Sequence, residues 1–288
     1  MLFQNKCLLL LIVLGLCINT GCKRKGHASP TGYDLNNPQS FELGKSLNEI
    51  SGIFFNAEDS SLLTISDSKE KIIQVDLKSK KLEDITGKII PPDSDLEDIV
   101  QVDSAVYLLM SRGTLIEVPL NAKDTSETKR YDMNLSGTND FETLYHDRTA
   151  QGLVLLCKTC AHEKGSGVRT AFRFDLRSKT FDQNAFFTIS RGQVKNLLKN
   201  ADAKFEPSAA AIHPVSKRLF ILSSAGQLLV ITDTRGQVIE AYTLNPDLYP
   251  QAEGIAFAPN GDMYISNEGK YGKPTLLYFP YQQSGKKK

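Results

Sequence analysis

The sequence carries almost no net charge and few histidines, and both scarcities exclude classes of function. The formal net charge of the 288-residue chain is +1, with both signs scattered along it, so there is no electrostatic basis for binding nucleic acid. The three lysines at 286–288 are interpreted as part of a solvated basic tail over residues 284–288. The protein is therefore not expected to bind nucleic acid.

Motifs of nucleophilic, nucleotide-binding and zinc-protease chemistry are missing. The sequence has no Gly-x-Ser-x-Gly elbow, no glycine-rich phosphate loop and no His-Glu-x-x-His helix. Its four histidines lie in the N-terminal segment or near turns, without a matching partner motif: His27, His146, His162 and His213. A metal-dependent hydrolase stays open, because such a site can be assembled from separated loops.

Cysteines are few, and their positions suggest two different roles. Residues 1–21 have the pattern of a signal peptide, with an apolar run over 7–18 that is short for a membrane span. Asn19-Thr-Gly-Cys22 resembles the lipobox of bacterial lipoproteins, which implies acylation of Cys22 and a lipidated tether over 22–32. Asn19 departs from the usual aliphatic residue, and a plain secretory signal is the alternative. We expect an extracytoplasmic lipoprotein anchored to a membrane.

The second role concerns Cys157 and Cys160, which lie at the end of a strand-like run. Outside the cytoplasm such a pair can oxidise, so the alternatives are a local disulfide that stiffens a loop or two free thiols. A redox motif would need a helix after the strand. A zinc site would need two further ligands, of which only His162 is near.

Five short phrases that begin with glutamate organise the rest of the chain. They recur at intervals of 48, 45, 64 and 47 residues, and each is followed by a second and a third apolar run. A period near 45 is typical of repeat architectures. The phrases are Glu49-Ile-Ser-Gly-Ile, Glu97-Asp-Ile-Val, Glu142-Thr-Leu-Tyr, Glu206-Pro-Ser-Ala-Ala-Ala-Ile and Glu253-Gly-Ile-Ala-Phe.

Each repeat offers about four short strands, which is the content of a β-propeller blade. The fifth repeat lacks a fourth strand, and a spare strand-like segment lies at 40–43. We therefore predict an all-β, five-bladed β-propeller over residues 33–283, closed by that N-terminal strand. Six blades are the alternative, if the long interval hides a degenerate unit. A turn or short helix is predicted at 192–200 within this interval.

The recurring glutamates predict a metal site. In a propeller the first strand of each blade lies nearest the axis, so side chains at its start converge on one mouth of the channel. Like charges at such short range need protons, cations or a metal, and oxygen-only ligands suit calcium. Glu97, Glu142 and Glu253 are the strongest candidates and Glu206 the weakest; alternatively each glutamate braces its strand. The full predicted ligand set is Glu49, Glu97, Glu142, Glu206, Glu253, Asp67, Asn267 and Glu268.

The same phrases carry a family resemblance. Together with Tyr33-Asp-Leu-Asn-Asn-Pro38 and Met263-Tyr-Ile-Ser-Asn-Glu268, they resemble the inner-strand motifs of the SdiA-regulated (YjiK-like) family over nearly the whole mature chain. The resemblance implies a five-bladed propeller, distantly similar to NHL-repeat proteins, with Ca²⁺ at a shared site and no established activity. Asp95-Leu-Glu-Asp98 departs from the family pattern, and Arg112 and Lys158 would add positive charge near the mouth.

Two functional interpretations follow. The first is a non-catalytic, calcium-stabilised lipoprotein, monomeric, that binds a protein or a small anionic ligand on a propeller face. The second is a calcium-dependent hydrolase, phosphoesterase- or lactonase-like, in which the metal polarises a substrate oxygen and activates water. We favour the first.

Overall fold

Five antiparallel sheets surround a common axis and form a five-bladed β-propeller. The computed structural model describes residues 26–66, 70–86, 90, 94–120, 122–270 and 272–282. The predicted fold class and blade number are confirmed. Cys22 and the signal peptide lie outside the described residues. No helix within the described part of the chain is both long and apolar enough to cross a membrane.

The first, second and fourth blades are four-stranded meanders along the chain, as the alternation of apolar runs and turn residues predicts. Blade one consists of β2 (Ile50–Asn56), β3 (Ser61–Ser66), β4 (Lys71–Asp76) and β5 (Leu82–Asp84). Blade two consists of β6 (Leu96–Val102), β7 (Ala105–Met110), β8 (Thr114–Pro119) and β9 (Lys129–Asp132). Blade four consists of β15 (Ala209–Ile212), β16 (Leu219–Ser223), β17 (Leu228–Thr232) and β18 (Val238–Thr243).

The third blade is larger and accounts for the long repeat interval. Its strands are β10 (Asn139–Asp147), β11 (Gly152–Cys160), β12 (Val168–Asp175), β13 (Thr180–Phe181) and β14 (Phe187–Ser190). The position of the outer strand is thus occupied by two short strands, β13 and β14, which both pair with β12. Helix α1 (Arg191–Leu198) follows, with Ser190 as its N-cap and Val194 in the core between blades three and four. The interval contains this helix and no sixth blade.

The fifth blade closes the ring with a strand from the N-terminus. It is built from β19 (Ala252–Phe257), β20 (Met263–Asn267), β21 (Thr275–Phe279) and β1 (Gln39–Glu42), in which β1 pairs antiparallel with β21. The innermost strands β2, β6, β10, β15 and β19 contact one another in sequence, and β19 contacts β2. The predicted closure by the segment near residue 40 is confirmed.

The hydrophobic core is divided into five clusters, one between each pair of neighbouring blades. Each blade therefore buries apolar side chains on both faces, which is why the middle strands are almost continuously apolar. The strand β11 illustrates this, with Leu153, Val154, Leu155 and Leu156 all buried.

The segment before β1 packs against the fifth blade. Tyr33 and Leu35 are buried in the cluster between blades four and five. The Tyr33 hydroxyl donates a hydrogen bond of 2.5 Å to the Gly261 carbonyl and lies 2.7 Å from Nε2 of His213. His213, expected from the sequence to be a turn residue, also accepts a hydrogen bond from the Ser216 amide at Nδ1. The chain is thus fixed to the propeller well before the first strand.

Candidate functional site

A β-bulge at the start of an innermost strand determines where three of the recurring glutamates lie. The strand pairings shift register between Leu96 and Asp98, between Phe141 and Thr143, and between Ala252 and Gly254. The bulged residues are Glu97, Glu142 and Glu253. A bulge removes a residue from the hydrogen-bonded ladder and redirects its side chain. Because the bulge occurs at the same place in three blades, the three glutamate side chains occupy equivalent positions around the ring.

Serines occupy the equivalent position in the other two blades, which corrects the alignment of the repeat. In β2 the register shift falls between Ile50 and Ile53, so Ser51-Gly52-Ile53 corresponds to Glu253-Gly254-Ile255. In blade four, Ser208 directly precedes β15 and donates its amide to the Leu222 carbonyl. With these serines the repeat intervals become 46, 45, 66 and 45 residues. Glu49 and Glu206 lie two residues earlier than the equivalent position.

The predicted ligands are only partly brought together. Glu142, Glu206 and Glu253 line one pocket, whereas the exposed Glu49 lines a different one beside β1. Glu97 lies on the neighbouring strand β6 and lines neither pocket.

Three further predicted ligands differ in their placement. The charge of Glu268 acts on both Glu142 and Glu253 and raises the pKa of each, so this carboxylate belongs to the same cluster. Asn267 is fully buried and donates hydrogen bonds to the Leu248 carbonyl and the Thr275 hydroxyl, which hold its amide within blade five. Asp67 lies outside the described residues.

The shared cavity, here called the carboxylate pocket, lies where the innermost strands of blades three, four and five begin. Its volume is about 250 Å³, and apart from Ala225 and Pro250 every lining side chain is polar. The pocket thus collects charge from separate blades at one place, as a ring of repeats allows. The lining residues are Glu142, Lys158, Glu206, Ser208, Ser224, Ala225, Pro250, Gln251 and Glu253.

Burial and crowding hold two of these carboxyl groups partly protonated near neutral pH. Burial, followed by the charge of Glu142, raises the pKa of Glu253 to about 8, although the Ser224 hydroxyl opposes the shift. Burial likewise raises the pKa of Glu142 to about 7, with Asp140 and Glu268 adding to the shift and Lys158 opposing it. The pocket therefore holds more negative charge than its own cation neutralises, and it takes up protons to compensate.

Lys158 supplies the positive charge that lines the pocket. Its ammonium group donates a hydrogen bond to Oε1 of Glu142 and lies 3.9 Å from Oδ2 of Asp140. The carboxylates of Glu142 and Asp140 outweigh burial and raise the pKa of Lys158. Oε2 of Glu142 is buried and accepts no hydrogen bond from any residue that the structure describes. Arg112, the other cation expected near the mouth, is exposed and does not line the pocket.

Glu206 lies near a buried arginine, Arg169. Arg169 is 5% exposed and donates hydrogen bonds of 2.8 Å to the Phe205 carbonyl and to Oε2 of Glu163. Its Nη2 lies 4.0 Å from Oε1 of Glu206. Arg169 thus acts mainly on Glu163, and Lys158 is the cation that contacts the carboxylates in the pocket directly.

The donor chemistry of the pocket fits calcium, with one obstacle. Carboxylate, hydroxyl and amide oxygens from three blades line one cavity, and among the described residues the buried Oε2 of Glu142 has no hydrogen-bond partner. Calcium takes 6–8 such oxygens, including waters. The obstacle is the Lys158 ammonium, which stands where a cation would contact Glu142. An ion that binds here competes with this lysine for Glu142.

The two cysteines of blade three form a disulfide bond, one of the two alternatives that the sequence left open. Within the described ranges, Cys157, Cys160 and His162 are the one group of three potential metal ligands whose atoms all lie within 4.8 Å of one another. Zinc would need the cysteines as thiolates, so the oxidised pair does not offer that site.

The sequence analysis missed Ser208, Ser224 and Gln251, which line the pocket. It also missed Ser51, which occupies the position equivalent to Glu253 in the strand pairing. The signal for Ser51 was present, because Ser51-Gly52-Ile53 repeats the Gly-Ile of Glu253-Gly254-Ile255. Choosing the glutamate two residues earlier concealed this correspondence. Gln251 carries no motif and reaches the pocket only through the turn before β19.

No curated protein matches the chain significantly. Many solved structures resemble it in fold, including the following two. A luciferin-regenerating enzyme is 11% identical over 86% of this chain and 96% of its own, with a TM-score of 0.53. Regucalcin, a calcium-binding protein from Agrobacterium tumefaciens, is 9% identical over 88% of this chain and 95% of its own, with a TM-score of 0.50. At these identities the likeness concerns the fold alone.

A family-level comparison extends over most of the chain. The sequence pattern of the SdiA-regulated family matches residues 40–279, from the strand that closes the ring to the last strand of blade five. The match covers all five blades and the three bulged glutamates. The chain therefore belongs to the SdiA-regulated family.

Proposed function

We propose that this protein is a calcium-binding propeller scaffold, which holds the ion in the carboxylate pocket and presents a propeller face to a ligand or partner. One observation carries the proposal: Glu142 and Glu253, from different blades, share a polar pocket in which their pKa values are raised to about 7 and about 8. Burial and mutual repulsion disfavour the ionised form of these carboxyl groups, and a bound cation would stabilise that form.

In this proposal the protein's residues divide the work. Glu142 and Glu253 would hold the ion, while Ser208, Ser224 and Gln251 offer neutral oxygens. A bound calcium would supply two positive charges and neutralise the carboxylates. Because the ligands lie on separate blades, binding would join the innermost strands and stabilise the ring. The regucalcin likeness is compatible with this role but does not carry it.

The test uses the soluble domain from residue 26, purified without added metal. We expect calcium to raise the melting temperature of the parent and a chelator to reverse the rise, with one equivalent of calcium bound. Glu253→Gln and Glu142→Gln should each weaken binding at least tenfold, because each removes a charged ligand. Glu49→Gln is the matched control and should behave as the parent, since Glu49 lies outside the carboxylate pocket. Equal melting curves with calcium and with chelator would refute the proposal.

The membrane anchor forms a second part of the proposal. We propose that Cys22 is acylated and that the propeller is extracytoplasmic, because the lipobox-like Asn19-Thr-Gly-Cys22 precedes the domain. Full-length protein should partition with membranes, and Cys22→Ala should release it to the soluble fraction. A Cys22→Ala variant that stays with the membranes would contradict lipidation.

A hydrolase is the alternative function, and one observation favours it. Glu253, with a pKa of about 8, accepts a hydrogen bond from the Ser224 hydroxyl in a pocket large enough for a small substrate. A carboxyl group with a pKa near neutrality suits general acid–base chemistry. Calcium-dependent turnover of a phosphoester or lactone that Glu253→Gln abolishes would establish the enzyme.

A further inference from the structure

Strand β11 contains a second bulge, opposite the one at Glu142. Phe141 pairs with Cys157 and Asp140 pairs with Thr159, so Lys158 has no partner in the ladder. The two bulges thus lie side by side in the same hairpin. They re-aim Glu142 and Lys158, which form an ion pair with each other.

The disulfide and the bulge at Lys158 depend on each other. In a regular strand, residues three apart have Cα atoms about 10 Å apart and side chains on opposite faces. Disulfides require a Cα separation of roughly 4.4–6.8 Å. The Cα atoms of Cys157 and Cys160 are 5.9 Å apart, which only the bulged backbone allows. The oxidised bond therefore ties Lys158 to the bulged backbone, and reduction removes this constraint.

The residue enclosed by the disulfide is the cation of the carboxylate pocket. Lys158 lies directly after Cys157, and its ammonium group contacts Glu142 and lies 3.9 Å from Asp140. Both cysteines are buried beside Phe141 and Phe172 in the core between blades two and three, so the loop is anchored on one side. Lys158, which lies between the two cysteines in the sequence, extends its side chain into the carboxylate pocket.

We propose that the Cys157–Cys160 disulfide is a redox control of the carboxylate pocket: the oxidised bond holds the Lys158 ammonium against Glu142, and reduction releases it, which raises the affinity for a divalent cation. The inference rests on the proposed function for the identity of the ligand. It adds a regulated state, in which the chain's own cation competes with calcium for the same carboxylate.

The redox step requires a dithiol as reductant, either a small molecule or a dithiol protein. One thiolate of the reductant attacks Sγ of Cys160, which is 7% exposed, whereas Cys157 is fully buried. The S–S bond breaks, and Cys157 leaves as a thiolate and takes a proton. The second thiol of the reductant then closes on the mixed disulfide and releases Cys160 as a thiol. Two electrons pass to the protein, and the reductant ends as a disulfide.

The first measurement is calcium titration calorimetry on the oxidised and the dithiol-reduced protein from residue 26. We expect reduction to raise the calcium affinity of the parent about tenfold, since one charged competitor for Glu142 is released. Lys158→Met keeps the apolar stem but removes the charge, so its affinity should be high and equal in both redox states. Lys164→Met, an exposed lysine of the same blade, is the control and should keep the redox dependence of the parent.

A second readout does not depend on calcium. Lys158 should be acylated slowly by an amine-reactive ester in the oxidised protein and at least several-fold faster after reduction, with exposed Lys273 as the internal reference. Faster acylation without any calcium binding would sustain the redox control and refute the proposed function. Calcium binding with equal affinity and equal acylation in both states would do the reverse.

A double variant covers the case in which the buried disulfide resists reduction. Cys157→Ala/Cys160→Ala removes the bond permanently and should reproduce the affinity and the acylation rate of the reduced parent. A folded double variant, judged by its circular dichroism, that behaves as the oxidised parent in both measurements would overturn the inference.

Discussion

At the scale of single residues, depth of burial decides which of the recurring glutamates have unusual chemistry. Glu142 and Glu253 lie among other carboxylates with one cation beside them, and the pKa of each is raised. Glu49, from the same sequence pattern, is exposed beside β1. The pattern identified the residue type, but the tertiary structure determined which glutamates share one pocket.

The raised pKa values predict a pH dependence of calcium binding. Calcium requires the ionised carboxylates, so affinity should increase as pH rises from about 6 to about 8.5, through the pKa values of about 7 and about 8. Titration calorimetry of the parent and of Glu142→Gln across this range measures the effect, and the variant should show a shallower dependence. A pH-independent affinity would contradict it.

His213 predicts that the stability of the protein decreases as the pH falls below 6.5. Burial lowers the pKa of His213 to about 4, from an ordinary value near 6.5. Above pH 6.5 the imidazole is neutral in both the folded and the unfolded chain. As pH falls from 6.5 towards 4, only the unfolded chain gains the proton, so the free energy of unfolding decreases. The decrease amounts to at most about 3 kcal/mol.

Urea unfolding of the metal-free protein at several pH values tests this expectation, with His213→Gln as the comparison. The difference in unfolding free energy between parent and variant should shrink as pH falls from 6.5 to 4. Titration of the carboxyl groups cancels in this difference. A constant difference would show that His213 does not titrate in this range.

At the scale of single elements, hydrogen bonds from polar side chains join neighbouring innermost strands. At Gly52 the neighbouring strand leaves no space for a side chain. Asp98, buried at the position equivalent to Gly254, accepts hydrogen bonds from the Ile99 and Leu144 amides and so links blades two and three. A Cβ atom on Gly52 would overlap its carboxylate. Ser208 likewise donates to the Ala252 carbonyl and links blades four and five.

The close approach of Gly52 to Asp98 predicts a coupled pair of substitutions. Gly52→Ala should destabilise the protein by about 1–3 kcal/mol, because the added methyl group displaces the carboxylate. Introducing Asp98→Gly together with Gly52→Ala should cost less than the sum of the two single changes, since the overlap with the carboxylate disappears and only the contact with the backbone Cα of residue 98 is left. Gly272→Ala, where the new methyl group meets no atom within 4 Å, is the control. Additive free energies from urea unfolding would argue against the contact.

At the scale of the whole molecule, ring closure depends on the N-terminal segment. Strand β1 covers the edge of β21, while Tyr33 and Leu35 fill the core between blades four and five. Without them blade five would have three strands and an unpaired edge. The ring therefore needs contacts between residues more than two hundred positions apart.

Truncation tests this closure. A protein that begins at residue 26 should fold as a stable monomer, whereas one that begins at residue 44 should melt at a much lower temperature and aggregate. The loss follows from the exposed edge of β21 and the missing Tyr33 and Leu35 side chains. Thermal melting and size-exclusion chromatography measure it. Equal melting temperatures would show that blade five is complete without β1.

The sequence by itself determined the architecture, because strand content and repeat period are local properties of the chain. Apolar runs, turn residues and an interval near 45 predicted the blades, and the missing fourth strand of the last repeat predicted closure near residue 40. Family membership followed from the same motifs. The split of the outer strand of blade three was not predicted, although the polar segment Asp182-Gln183-Asn184 separates its two pieces.

Only the tertiary structure decided which residues form the site. In the observed strand pairing, Ser51 and Ser208 occupy the positions equivalent to Glu253, and Glu49 and Glu206 lie two residues earlier. The repeat interval alone does not reveal this alignment. The entry of Lys158 into the carboxylate pocket likewise depends on a second bulge and on the disulfide around it. Period and composition are local, whereas the meeting of charges from different blades depends on the closure of the ring.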